Sequence, residues 1–272
     1  MLVLCDCVWM IELRVQLRLT AGRPPSGFTG LTTRAAFLGW VGDVKPALST
    51  LLHGGYDATK RKRSFYSIKP VWAEPSGGHS FSVIFLEDSL AQDTLGALMQ
   101  SPNRSLRIGE AVMEVTSLSI REVDMAAVGK RLGGLNSLDM RFRTPTYFSV
   151  KNSSFKVIQP NLTLLLTNIA NTLHIARIES IPREKIKALR AKLGITGLDI
   201  RSVMTRDGSR VYPGFTGWVR LTAKGLDSEQ ASLLARLAEW AELLNVGGGR
   251  TAGFGVVEVS PPAKHAEPNQ HA

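Results

Sequence analysis

One histidine in this chain stands where proton transfer could be done. His53 follows Leu51-Leu52 and precedes Gly54-Gly55, which places it at a helix end, at an edge rather than in a core. Imidazole titrates near neutrality, so a histidine there could act as general acid or base. Helix capping or contact with a ligand are the other roles open to it. Seven residues on begins the densest charge run, Lys60-Arg61-Lys62-Arg63, followed at once by Phe65 and Tyr66. A charge run is often no more than a solvated face. Cations beside aromatics are also the residue types that hold a nucleic-acid strand, through phosphates and stacked bases. Core packing is the alternative for both rings, more so for Phe65 than for Tyr66.

The second feature with chemical content is Asn245-Val246-Gly247-Gly248-Gly249-Arg250-Thr251-Ala252-Gly253-Phe254-Gly255. Glycine reaches positive φ and lets another molecule approach the backbone, so such a loop can present a nest of amides to phosphate. Arg250, between glycines, would add a planar bidentate fork. Gly247, Gly249, Thr251 and Gly253 are the further candidates for contact. A tight turn, with glycines serving backbone geometry alone, is the other reading, and the two can coexist. An amphipathic helix precedes the loop and an alternating strand, Phe254 to Val259, follows it. Walker and dinucleotide loops have the opposite order, strand then glycines then helix, and the Walker Gly-Lys-[Ser/Thr] is missing. A nucleotide-dependent enzyme is therefore disfavoured.

The order helix, Gly-rich loop, last strand resembles the repeat-associated protein superfamily of CRISPR systems. Several segments resemble its endoribonucleases that cut precursor crRNA within the repeats. They are Gly214 to Leu221 ahead of the last helix, Met140-Arg141-Phe142-Arg143-Thr144-Pro145-Thr146-Tyr147-Phe148, the helix opened by Pro160, and Leu51 to Tyr56 followed by Phe65 to Ile68. The resemblance covers roughly residues 8 to 260. It implies cleavage of CRISPR repeat RNA without a metal, the RNA's 2′-hydroxyl attacking the adjacent phosphate to leave a 2′,3′-cyclic phosphate. It puts His53 at the catalytic position. The family often carries a tyrosine on the upstream helix, where this chain reads Ala35-Ala36-Phe37-Leu38-Gly39-Trp40. Arg34, Tyr56 or Lys60 would then stand in for it. The resemblance further implies RNA contacts from Arg23, Arg61, Lys62, Arg63, Tyr66, Arg141, Arg143, Lys151, Lys187, Arg190 and the Gly-rich loop. A non-catalytic crRNA-binding subunit of an effector complex is the alternative, and other subunits of such a complex are candidate partners.

The composition agrees with a polyanionic partner: 33 Lys and Arg against 23 Asp and Glu, formal net charge +10, pI near 9.9. Cys5 and Cys7 are too close for an easy disulfide, and no second pair or nearby histidine completes a metal site. Reduced thiols, the absence of a secretory pattern and the polar breaks in Leu162 to Ile175 fit a cytoplasmic protein with no membrane span. No cofactor and no metal are expected. His79, His174, His265 and His271 carry no recognisable pattern.

Elements must position these residues. Ile11, Leu13, Val15, Leu17 and Leu19 alternate with polar residues as in a half-buried strand. A helix over 32–52, kinked near Pro46, a hairpin of strands 65–72 and 80–86, a helix from Asp88 to Met99 and strand residues from Leu106 to Val123 follow. This is βαββαβ. Residues 129–136 read as a linker. The second half repeats the pattern: a strand at 138–142, helices at 161–174 and 182–193, strands at 195–204 and 215–223, a helix capped by Asp227 with Gln230 in a capping box, and the last strand. The reading is α+β, two tandem ferredoxin-like domains over 1–128 and 137–260. The basic helix at 182–193 is read as an insertion in the second, and 261–272 as a disordered tail.

Overall fold

A computed structural model of the chain describes residues 10–54, 65–75, 77–150 and 152–262. The first half holds β1 (Ile11–Ala21), α1 (Gly30–Gly42), α2 (Pro46–Gly54), β2 (Tyr66–Ala73), β3 (His79–Phe85), α3 (Asp88–Gln100), β4 (Ser105–Ile108) and β5 (Ala111–Glu122). Its five strands form one antiparallel sheet in the order β2-β3-β1-β5-β4. The helix expected over 32–52 is two helices, and Pro46, whose ring lacks an N–H, opens the second where no donor is needed. The strand signal at 106–123 is a hairpin, β4 and β5, turning at Gly109.

The second half holds β6 (Ser137–Thr146), β7 (Phe148–Ser149), β8 (Lys156–Val157), α4 (Leu162–Ile175), α5 (Arg183–Ala191), β9 (Leu193–Asp207), β10 (Arg210–Ala223), α6 (Ser228–Leu244) and β11 (Val257–Ser260). Four strands make a second sheet, β11-β6-β10-β9, with β7 and β8 as a small separate pair. Both halves therefore have the ferredoxin-like layout, strands on one layer and helices on the other. The capping box is present: Asp227 accepts from the Gln230 amide at 2.8 Å and Gln230 Oε1 from the Asp227 amide at 3.3 Å.

Strand alternation decides which face of each sheet is open. Leu13, Val15 and Leu17 of β1 are buried against the first helical layer, so Glu12, Arg14, Gln16 and Arg18 point the other way. In β6, Leu138, Met140 and Phe142 join the core under α4 and α6, and Asp139, Arg141 and Arg143 take the open face. The two halves are joined firmly. In the 129–136 segment, amides of Gly129 and Leu132 donate to the buried Glu239 carboxylate at 2.8 and 2.9 Å, and Leu132 is buried. Met10, Ile84 and Leu86, from the first half, are counted in the second half's core.

Candidate nucleic-acid interface

The open faces of the two sheets meet along a cleft. One cavity of about 590 Å³ is lined by Arg14, Lys69, Trp72 and Ser82 from the first sheet and by Arg143, Glu242 and Glu258 from the second half. A neighbouring cavity of about 500 Å³ is lined by Trp72, Arg141, Arg143, Arg201 and Trp218. Trp72 belongs to both. The Arg143 guanidinium lies 5.8 Å from the Trp72 ring centroid, a cation–π contact between the two halves.

Charge in the cleft is mixed, with Glu12, Glu74, Glu242, Glu258 and Asp199 lining the same two cavities as Arg14, Lys69, Arg141, Arg143 and Arg201, and much of it is paired. Arg14 pairs with Glu74 at 2.6 Å, Arg121 with Glu12 at 2.5 Å, Arg143 with Glu258 at 3.3 Å and Arg220 bidentately with Asp139 at 2.7 and 2.8 Å. Arg141 and Arg201 are exposed, with no carboxylate at salt-bridge distance among the described residues. Burial pushes the Glu12 carboxyl up, but the Arg121 hydrogen bond and charge and the Lys69 charge outweigh it, so Glu12 stays below the ordinary carboxylate range. The Ser80 hydroxyl and Arg14 hold Glu74 down likewise. Burial wins at Glu242 and raises its carboxyl in spite of Arg131 and Lys69. Aromatic faces beside arginines that hold no ion pair among the described residues, here Arg141 and Arg201, are what a single strand needs. Trp72, Arg201 and Trp218 were not singled out from the sequence. Alternation in β9 and β10 was the signal that would have put Arg201 and Trp218 on the same face as Arg141.

The Gly-rich loop is placed otherwise than expected. Arg250–Ala252 form one 3-10 turn, which packs on α1 and β2. Most of the loop's amides are already used. Gly247 donates to Asn168 Oδ1 at 2.8 Å, Gly248 to the Tyr147 carbonyl, Gly253 to the Arg250 carbonyl and Gly255 to the Pro145 carbonyl. Those amides cannot also cradle a phosphate. The glycines serve geometry: a Cβ on Gly255, at φ +71°, would lie 1.7 Å from the Val246 carbonyl oxygen. Asn245 ties the loop's start to the first half, its Nδ2 donating to the Ile68 carbonyl at 2.9 Å. The final strand starts at Val257 instead of Phe254, because Phe254 is buried among Tyr147, Phe28 and Tyr212.

Arg250 does not project into solvent. The residue is half-buried, its Nη1 is fully buried, and that atom has no hydrogen-bond partner among the described residues. Burial, with no counter-charge among the described residues, lowers its guanidinium to about 10. Burying a charged group in this way costs stability.

Tyr66 is corrected too. Its ring is buried, 1% exposed, and contacts Phe37 and Phe85, so no base can stack on it. Its hydroxyl, raised by burial, accepts from Arg34 Nε at 3.4 Å. Arg34 also donates from Nη2 to the His53 carbonyl at 2.9 Å. His53 is exposed in the last turn of α2, as its neighbours in sequence implied. The structure thus gathers His53, Arg34 and the Tyr66 hydroxyl at one end of α2.

Arg23 is exposed in the β1–α1 loop, Thr251 half-buried in the turn, Gly249 exposed, and Gly247 and Gly253 buried. Lys187 and Arg190 lie on α5, away from the cleft and on the helical side of the second sheet. Cys5, Cys7, Tyr56, Lys60, Arg61, Lys62, Arg63, Lys151, His265 and His271 lie outside the described residues. Among the described residues no three His, Cys, Asp or Glu side chains form a group that could hold a metal ion, and no helix is long and apolar enough to cross a membrane.

Residues 140–257 match the model of the family CRISPR-associated endoribonuclease Cas6. The matched segment runs from β6 through the Gly-rich loop into β11. No curated protein matches the chain. Among solved structures, Cas6 of Thermus thermophilus is 18% identical, with a TM-score of 0.70 and coverage of 93% of this chain and 98% of that one. A Cas6 product complex gives 19% identity, TM-score 0.71 and coverage of 92% and 99%. A Cas6-related protein from Pyrococcus furiosus gives 12% identity, TM-score 0.55 and coverage of 92% and 98%.

Proposed function

We propose that this chain is a Cas6-type protein of the repeat-associated superfamily, an endoribonuclease that binds CRISPR repeat RNA and cuts it to mature crRNA. The observation that carries the reading is the match over residues 140–257, which includes both the arginines of β6 and the Gly-rich loop. The cleft supports it physically. Arg141 and Arg201 offer unpaired positive charge to phosphates, and Trp72 and Trp218 offer ring surface to bases.

Cleavage would use the RNA's own nucleophile. A 2′-hydroxyl loses its proton and its oxygen attacks the adjacent phosphorus. The P–O5′ bond breaks, the 5′-oxygen takes up a proton, and a 2′,3′-cyclic phosphate and a 5′-hydroxyl result. His53 would exchange one of these protons, since it is exposed and its backbone is held by Arg34. Lys60 or a nearby arginine would stabilise the charge that builds on the phosphoryl oxygens. Arg250 is a second candidate for that charge, because its guanidinium lacks a counter-ion among the described residues.

The test is incubation with a CRISPR repeat RNA in chelator, followed by analysis of the product ends. A single cut with a 2′,3′-cyclic phosphate is expected. Tight binding without cleavage would favour the non-catalytic crRNA-binding subunit.

A further inference from the structure

On the helical side of the second sheet, away from the cleft, α4 and α5 flank an open-sided cavity of about 620 Å³. This lies within the range of small-molecule sites, roughly 300–1,000 Å³. Its surface is mixed. Ile186 and its neighbours form an apolar wall, Asn171 supplies an amide, and His174, Arg183, Lys187 and Arg190 bring nitrogen groups to it. Among the described residues, no acidic one lines it. Neither Arg183 nor Lys187 has a carboxylate at salt-bridge distance among the described residues, although the adjacent Lys185 pairs with Glu229. Arg190 donates from Nη1 to the Leu193 carbonyl at 3.1 Å, but its Nε is buried without a partner among the described residues.

Three cations without a counter-charge ask for an anion, and an apolar wall with an amide asks for a flat, partly polar body. A nucleotide has both parts. We propose that this cavity binds one nucleotide, its base against the Ile186 wall and the Asn171 amide, its phosphate at Arg183, Lys187 and Arg190. The inference deepens the RNA reading and rests on it for the source of the nucleotide, an unpaired residue of the bound RNA. Asn168, one turn from Asn171 on α4, accepts the amide of Gly247, which ties the α4 wall of the cavity to the loop that carries Arg250.

The experiment uses the full chain and a repeat RNA carrying 4-thiouridine at successive unpaired positions. Irradiation and peptide mapping should place a crosslink within residues 163–190. Asn171→Trp, a change at an exposed position that fills the cavity, should abolish that crosslink while leaving the melting temperature near wild type. Lys187→Ala should reduce the slope of log affinity against log salt by about 0.7, as expected for one phosphate contact to a single strand. RNA that is bound and cut with no crosslink here, and with no effect of either change, would overturn the site and leave the proposed function standing. If the wild type binds no RNA, the function falls, and titration with nucleoside monophosphates decides the site. Saturable binding lost in Asn171→Trp supports a free nucleotide as the source, and no binding overturns the inference.

Discussion

Arg34 on α1 donates to the backbone carbonyl of His53 at the end of α2, at 2.9 Å, while its Nε reaches the Tyr66 hydroxyl on β2. One guanidinium thereby ties three elements together beside the exposed imidazole. A carbonyl in the last turn of a helix lacks an intrahelical donor, and Arg34 supplies one. If His53 does the proposed proton transfer, Arg34 is its positioning residue.

Replacing His53 by Ala should slow single-turnover cleavage about 10²-fold or more, with RNA affinity nearly unchanged. Arg34→Ala should lower the rate as well, and Arg34→Lys should restore part of it. The double change should cost little more than His53→Ala alone, because Arg34 acts through the histidine. Additive losses would show that Arg34 touches the RNA itself. A rate within a few-fold of wild type for His53→Ala would remove the histidine from the chemistry.

Arg250 should be a burden to the free protein and an asset to the complex. Its guanidinium falls from the ordinary arginine range to about 10 on folding. A base whose folded value is depressed destabilises the fold at every pH below that value, and the penalty is relieved only as pH rises above about 10. At neutral pH the penalty is fully present. Arg250→Met keeps the apolar stem and removes the buried charge. It should stabilise the free chain by about 1 kcal/mol, roughly 2–4 °C in melting temperature for a chain of this size. Calorimetry without RNA measures this. A lower melting temperature would mean that the guanidinium has a partner. In the complex the same change should weaken RNA binding.

The cleft makes its own prediction. Trp72→Ala should weaken RNA binding by about 1–3 kcal/mol if a base stacks on that ring. Trp72→Phe should retain part of the affinity. Titration of labelled single-stranded repeat RNA reads this out, and unchanged affinity for both variants would take the cleft out of the interface.

The proposed cleavage by His53 and cations assigns no step to a divalent ion. Full activity is therefore expected in excess EDTA. Activity lost in chelator and restored by titrating magnesium would sink the proposed chemistry.

Gly255→Ala should damage folding rather than binding. A methyl group there meets the Val246 carbonyl oxygen at 1.7 Å, at a positive φ that side chains rarely adopt. The loss should exceed the roughly 1 kcal/mol centre of ordinary single changes. Urea denaturation measures it, and a variant as stable as wild type would show that the loop can shift.

Much of the fold was legible from local pattern. Alternation in β1 and β6, helical spacing in α6 and the Asp227 capping box all report burial or hydrogen bonding within a few residues, which neighbouring side chains encode directly. The exposed helix end carrying His53 was legible for the same reason, because Leu52 and Gly54 bracket it. What local pattern cannot carry is burial by a distant part of the chain. Arg250 between glycines looks exposed, yet α1 and β2 close over its turn. Tyr66 after a basic run looks free to stack, yet Phe37 and Phe85 enclose it. The glycines look like a phosphate nest, yet Asn168, Tyr147 and Pro145 take their amides. Trp72 and Arg143 are 71 positions apart in the sequence and meet only because two sheets present their open faces to each other. Residue types and their order determined the two repeated units and the likeness to the repeat-associated proteins. The packing of one unit against the other decided which candidate groups remain accessible to a ligand.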